Sequence, residues 1–237
     1  MEKPNLSGFK AIILAGGKGT RLYPITKEIP KPLIPVNKKP IISHLVDLFR
    51  SHGITDIAVL INREAKDDFY WWKKRYYPKS RIKFVEETQP LGSFGGLYLL
   101  KKWIGDSSFF LTNGDELKEI ELVKMVKFHK DNKAMATVAL VEVEKPSEYG
   151  IAVCEENFVK EFIEKPTNPS SKHANAGLVL FNVEVFKYHK GPSFQMYEND
   201  IFPVLAKEKK LAGFKFKGKW MDTGTWERYG RALEEWK

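Results

Sequence analysis

The residues best suited to chemistry lie near the start of the chain, in Leu14-Ala15-Gly16-Gly17-Lys18-Gly19-Thr20-Arg21-Leu22, followed by Pro30-Lys31-Pro32. An apolar run from Ala11 to Leu14 precedes the glycines and reads as a buried parallel strand. The glycines then fall at the C-terminal end of a strand, where open α/β sheets bind ligands. Gly16, Gly17 and Gly19 permit positive φ and let successive backbone N–H groups converge on an anion. Arg21 and Lys31 add fixed positive charge on either side. Such a loop is suited to cradling a triphosphate; the rival reading is a plain chain reversal.

Two commoner glycine motifs fail. A P-loop needs Gly-Lys-Ser/Thr, and here Gly17-Lys18 is followed by Gly19. A dinucleotide fingerprint wants Gly or Ala where Leu22 stands, and an acid where Asn37, Lys38 and Lys39 stand. Further on, Asp115 follows an apolar strand and Gly114, and Asp222 lies in Trp220-Met221-Asp222-Thr223-Gly224-Thr225. Each aspartate read alone is a turn residue or a metal ligand. No Ser/His/Asp or Cys/His arrangement suggests a protein nucleophile.

The elements that must position these residues alternate from residue 11 onward, which predicts an α/β fold with a parallel sheet and crossover helices. Ile41, Ile42, Leu45, Val46 and Phe49 recur at helical spacing, and Gly53 ends that helix. Strands are expected at Ile57 to Ile61, Arg81 to Val85, Phe109 to Leu111 and Ala134 to Val143. Helices are expected over 63–76, from Ser93 as a cap to Trp103, and over 121–131. Beyond residue 145 a hairpin is expected, Gly150 to Val153 with Phe158 to Ile163, then a strand from Ala176 to Phe181. A helix over 201–207, a strand from Leu211 to Phe216 and a closing helix capped by Thr225 complete the pattern.

Composition narrows the class. The chain has 237 residues, 43% of them hydrophobic, enough for one α/β domain or one core with two unequal lobes. No apolar run approaches a membrane span, and Met1 to Lys10 lacks the order of a signal peptide. A single cysteine, Cys154, points to a reducing cytoplasm and reads as a buried structural thiol. The net charge of +9 has two readings: nucleic-acid binding, although the lysines are spread along the chain rather than gathered in one block, and an enzyme of anionic small substrates, which fits as well. The densest patch, Trp71-Trp72-Lys73-Lys74-Arg75-Tyr76-Tyr77, reads as an amphipathic helix whose aromatics pack or form a subunit contact.

Taken together, the glycine loop with Thr20-Arg21-Leu22 and Pro30-Lys31-Pro32 resembles the signature of the sugar-nucleotidyltransferases, which make NDP-sugars from an NTP and a sugar 1-phosphate. The resemblance runs from about residue 9 to 236. It implies a Rossmann-like, mostly parallel mixed sheet flanked by helices with a smaller β-rich sugar-binding lobe, the nucleotide-diphospho-sugar transferase fold. On that basis 9–145 form the nucleotide part and 146–236 the sugar-phosphate part of a single domain. No hexapeptide pattern follows, so the left-handed β-helix that many relatives append is expected to be absent.

The resemblance also assigns residues. Leu14, Ala15, Gly16, Gly17, Gly19, Thr20 and Arg21 bind the nucleotide, with Gln89, Pro90 and Gly92 at the base-contacting loop. That loop departs from the family's usual Gly-Thr-Ala-Gly, having Gly92-Ser93-Phe94-Gly95. Asn113, Tyr149, Gly150, Glu164, Lys165, Asn175 and Trp220 fall in the sugar-phosphate site, and Asp115 and Asp222 hold magnesium. Arg21, Lys31 and Lys165 become the catalytic cations. Pro166 is expected to hold Lys165 in an extended backbone. The implied substrates are an NTP and a sugar 1-phosphate; Trp220-Met221-Asp222 and Tyr149-Gly150-Ile151-Ala152-Val153 lean toward GTP and mannose 1-phosphate, with thymidylyl, uridylyl and cytidylyl transfer open. A homodimer is open as well. The alternative is a non-catalytic regulatory relative, which would have lost Arg21 or one aspartate; all three are present.

Overall fold

A computed structural model of the chain describes residues 5–237; Met1–Pro4, part of the stretch read against a signal peptide, lie outside them. The chain forms two compact units. One comprises residues 5–90, 112–119 and 219–237, the other 91–111 and 120–218. The units interleave along the chain, whereas the family resemblance suggests a single boundary near residue 145.

In the first unit, Lys10–Ala15 pairs in parallel with Asp56–Asn62, from Lys10 opposite Asp56 to Ala15 opposite Ile61. Asp56–Asn62 pairs in parallel with Lys83–Glu87 on its other side. Ala11, Ile12, Ile13 and the whole of Ile57 to Ile61 are buried, as their unbroken apolar runs require. The connecting helix Ile41–Ser51 buries Ile41, Ile42, Leu45, Val46 and Phe49, and the chain turns away at Gly53 with φ 85°. The third strand starts two residues later than Arg81, at Lys83, where the pairing begins opposite Ala58.

The aromatic stretch divides by face. On the Lys66–Tyr76 helix, Phe69 and Trp72 point inward, and the Trp72 indole donates to Ser43 Oγ at 2.8 Å. Tyr77 is buried as well and donates to the Ser43 carbonyl at 3.0 Å. Tyr70, Trp71 and Tyr76 stay exposed, with Trp71 at 68%.

Two short strands make the ribbon that matters most. Glu116–Lys118 and Trp220–Asp222 pair antiparallel, with Trp220 opposite Lys118, Met221 opposite Leu117 and Asp222 opposite Glu116. Leu117 and Met221 turn into an apolar cluster with Leu22, Ile34, Val36, Ile41, Ala232 and Trp236. The closing helix, Trp226–Glu235, begins as expected: Thr225 Oγ1 accepts the Arg228 backbone N–H at 3.3 Å.

The second unit is mainly antiparallel. Its strands run in the order His173–Phe181, Ala136–Glu142, Leu211–Lys215, Phe158–Glu164, Gly150–Glu155. Leu211–Lys215 lies parallel to Ala136–Glu142; the other neighbours in that order are antiparallel. The expected hairpin is present, with Glu156 at φ 52° in its turn.

Three local expectations are corrected. Ser93 does not cap a helix: it lies inside the short Gly92–Gly95 helix, donates to Glu198 and accepts the Tyr197 N–H at 3.1 Å. The helix expected to run on to Trp103 is broken by a 3₁₀ stretch at Gly96–Leu100 and resumes at Lys101–Ile104. Cys154 is half-buried rather than fully buried, and that burial raises its thiol pKa against the opposing pull of Lys215. No helix among the described residues is long and apolar enough to cross a membrane.

Candidate functional site

The glycine loop is anchored at both ends and open in the middle. Ala15 closes the first strand and is buried, and Leu14 accepts the Gly114 N–H at 2.8 Å. Gly16 sits so close to its neighbours that a Cβ there would lie 2.7 Å from Glu87 Oε2. Gly17 is exposed, with nothing within 4 Å of an added Cβ. Gly19 takes φ 62° and starts the 3₁₀ turn Thr20–Leu22. Its carbonyl accepts both the Leu22 N–H and Thr26 Oγ1, at 2.9 and 2.8 Å. Leu22 is buried, which leaves Thr20 and Arg21 facing solvent. Gln89 and Pro90 are exposed just beyond the third strand, at the same C-terminal edge of the parallel sheet.

Asp115 and Asp222 are far apart in the chain, and the ribbon brings them together. Asp222 stands opposite Glu116, the residue after Asp115. Thr223, fully buried, locks the arrangement by donating to the Asp115 carbonyl at 2.7 Å. Lys31 is buried and pairs with Asp115 Oδ2. Asp222 Oδ1 accepts the Gly224 N–H at 2.6 Å, and its Oδ2 pairs with Arg228. Arg21 reaches the same place, since a Cβ on Gly224 would lie 3.3 Å from Arg21 Nη2.

Beneath the aspartates lies a buried polar network that the sequence did not announce. Glu116 accepts Asn113 Nδ2 at 2.8 Å on one oxygen; its other oxygen accepts Trp220 Nε1 at 2.9 Å and Lys118 Nζ at 3.3 Å. Lys118 also donates to Thr112 Oγ1 at 2.9 Å. Burial pushes the Glu116 carboxyl up, Lys118 opposes that, and Asp115 and Asp222 reinforce it. Burial likewise pulls the Lys118 ammonium down against the pull of Glu116. Asn113 and Trp220, expected at the sugar phosphate, both spend side-chain donors on Glu116. Their visible work is to brace the ribbon.

In the second unit, Tyr149, Gly150, Glu164 and Lys165 gather at one end of the hairpin. Gly150 pairs with Glu164, and a Cβ on Gly150 would lie 2.6 Å from both Glu164 Oε2 and the Phe162 ring. Lys165 donates its backbone N–H to the Tyr149 carbonyl at 3.1 Å, and its ammonium lies 3.7 Å from Glu164. The expected extended backbone is wrong: Lys165 has φ 48°, in the left-handed region. The bond to Tyr149 ends the ladder there and turns the chain, which overrides the local preference set by Pro166. Asn175 lies in the strand His173–Phe181 and accepts the Gly177 N–H at 3.0 Å across a register shift. Gly92 has φ 78°, and a Cβ there would stand 2.4 Å from the Gln195 carbonyl, so packing alone requires glycine.

The donors at the ribbon fit magnesium, a hard cation that takes one or two carboxylates and completes its shell with phosphate oxygens and water. Asp115 and Asp222 are such a pair, and no group of three or more His, Cys, Asp or Glu gathers for a metal among the described residues.

A parallel sheet ending in a glycine loop, joined to an antiparallel-rich unit, is the nucleotide-diphospho-sugar transferase fold. The chain belongs to the nucleotidyl transferase family, whose profile matches residues 10–237. A mannose-1-phosphate guanyltransferase of Saccharomyces cerevisiae is 36% identical over 91% of this chain and 61% of its own length. The chain thus spans about three fifths of the curated relatives it matches. A Bacillus anthracis structure, named as a candidate glucose-1-phosphate thymidylyltransferase, has a TM-score of 0.87 at 30% identity, covering 95% of this chain and 94% of that one. HddC from Yersinia pseudotuberculosis, complexed with GMP-PN, has a TM-score of 0.81 at 27% identity, covering 96% of this chain and 99% of that one.

Proposed function

We propose that this chain transfers a nucleotidyl group from an NTP to a sugar 1-phosphate, giving an NDP-sugar and pyrophosphate. The observation that carries the reading is the ribbon register that sets Asp222 beside Asp115, at the edge bearing the glycine loop. The guanyltransferase and thymidylyltransferase names of its relatives support the reaction class.

The attacking sugar phosphate has a second pKa near 6, by analogy with phosphoserine, so its oxygen is mostly ionised at neutral pH. It needs no protein base. The difficulty is that one polyanion approaches another, and catalysis must come from charge neutralisation and alignment. Gly17 and its neighbours offer backbone donors to the triphosphate, with Arg21 and Lys31 neutralising it and the departing pyrophosphate. Gln89 and Pro90 are proposed for the base. Magnesium held by Asp115 and Asp222 would supply Lewis-acid neutralisation of phosphate oxygens. Tyr149, Gly150, Glu164 and Asn175 are proposed for the sugar, and Lys165 for its phosphate.

Within that class we favour GTP and mannose 1-phosphate, because the curated relatives above share those names and Trp220-Met221-Asp222 leans the same way. Magnesium as the metal and a reducing cytoplasm belong to the same proposal. The test is pyrophosphate release, crossing GTP, dTTP, UTP, CTP and ATP with mannose, glucose and related sugar 1-phosphates. Release with no pair would sink the reaction; release with dTTP and glucose 1-phosphate alone would correct the substrates.

A further inference from the structure

Both aspartates proposed for the metal are held by cations of the chain, and one of those cations was not expected at the site. Lys31 pairs with Asp115, and Arg228 with Asp222. Because Gly224 N–H already binds the other oxygen of Asp222, both Asp222 oxygens have donors. Arg228 comes from the first turn of the closing helix, where Thr225 fixes its backbone N–H. The side chains of Arg228 and Asp222 are only 17% and 13% exposed, so water and salt screen this pair little.

The carboxylates are neutralised without a metal. Asp115 and Asp222 face Lys31 and Arg228, with Arg21 close by as a third cation, and the buried Glu116–Lys118 pair adds no net charge. A divalent ion arriving alone would leave the site strongly positive, and would have to compete with a guanidinium for Asp222. A metal arriving with a triphosphate brings its own negative charge and gives the displaced guanidinium a phosphate oxygen to bind.

We propose, resting on the reading of the site given above, that Arg228 is a positioning residue which occupies Asp222 until the metal–triphosphate complex arrives, then passes to a phosphate oxygen. Arg228 thereby suppresses binding of the metal alone and makes metal and nucleotide bind cooperatively.

The test titrates Mn²⁺ into the nucleotide-free full chain and counts bound ion by electron paramagnetic resonance. Arg228→Gln is expected to bind Mn²⁺ about tenfold more tightly than the unaltered chain, the effect of losing one competing charge-assisted contact. Adding a non-hydrolysable NTP should tighten Mn²⁺ binding in the unaltered chain, and less so in Arg228→Gln. Arg228→Lys, which keeps the charge but loses the planar fork, should fall between the two and carries the test should Arg228→Gln not melt cooperatively. Equal or weaker Mn²⁺ binding in Arg228→Gln, with Asp222→Asn impaired, overturns the role of Arg228 and leaves Asp222 a ligand. If Asp222→Asn binds Mn²⁺ normally beside the NTP analogue, the proposed metal site itself is wrong.

Discussion

Asp222 stands directly across the ribbon from Glu116, and that single pairing sets it beside Asp115. The metal reading therefore depends on register, because a slip of one residue would turn Asp222 to the other face. Asp115→Asn and Asp222→Asn should each lower kcat by roughly 10² or more at limiting magnesium, since a neutral amide is a poor ligand. Pyrophosphate release across a magnesium titration, with a melting curve for each variant, checks this. Near-normal turnover in either variant would remove that aspartate from the site.

Gly16 and Gly17 are neighbours with opposite tolerances. A Cβ on Gly16 would press on Glu87, whereas one on Gly17 would meet nothing within 4 Å. Gly16→Val should therefore lower the melting temperature, while Gly17→Val should leave it unchanged and weaken NTP binding. Calorimetric titration with a non-hydrolysable NTP separates the two. Full nucleotide affinity in a stable Gly17→Val would return the loop to a plain reversal.

Lys165 holds a left-handed φ of 48° that a side chain resists, at a cost of roughly 1–2 kcal/mol. Lys165→Gly should raise stability, offset in part by glycine's greater freedom when unfolded. The same change should raise KM for the sugar phosphate and lower kcat, leaving NTP affinity intact. Lys165→Ala keeps the strain, so it should lose the function without the gain in melting temperature. Were Lys165→Gly no more stable than Lys165→Ala, the strain would not be real; were NTP binding lost instead, Lys165 would serve the other substrate.

His129 gives a pH signature in the second unit. It is buried, with Nδ1 2.7 Å from Thr137 Oγ1 and Nε2 3.1 Å from Asn182 Oδ1. Burial lowers its pKa from the ordinary imidazole value of about 6.5, with the Asn182 contact opposing. A depressed folded pKa means the unfolded chain takes up the proton first as pH falls. The stability linked to His129 is full above about pH 6.5 and drains away below it. Melting temperatures between pH 8 and 5 should fall across that window, and His129→Gln should flatten the fall. An equal slope in the variant would assign the loss to other groups.

What the sequence revealed follows from how local each signal is. Ala11 to Leu14 and Ile57 to Ile61 are continuous apolar runs, and buried parallel strands are the result. Thr225 could be read as a cap because capping is decided within three residues. The ribbon could not be read, since its two three-residue strands are about a hundred positions apart and each alone is too short for a pattern. Gly92 drew attention as a base-loop glycine, yet its requirement comes from the Gln195 backbone, which no local spacing discloses. Arg228 looked like any charged residue in the first turn of a surface helix until the fold laid it on Asp222. Lys165 shows the reverse, a valid local rule defeated by one hydrogen bond to Tyr149.

Leu22, which anchors the glycine loop, packs in one cluster with Ala232 and Trp236. On the ribosome, then, the loop is made some two hundred positions before the residues that seat it. A nascent chain therefore carries the glycine loop long before it can hold that loop in shape, and any nucleotide binding by the loop should wait on the synthesis of the closing helix.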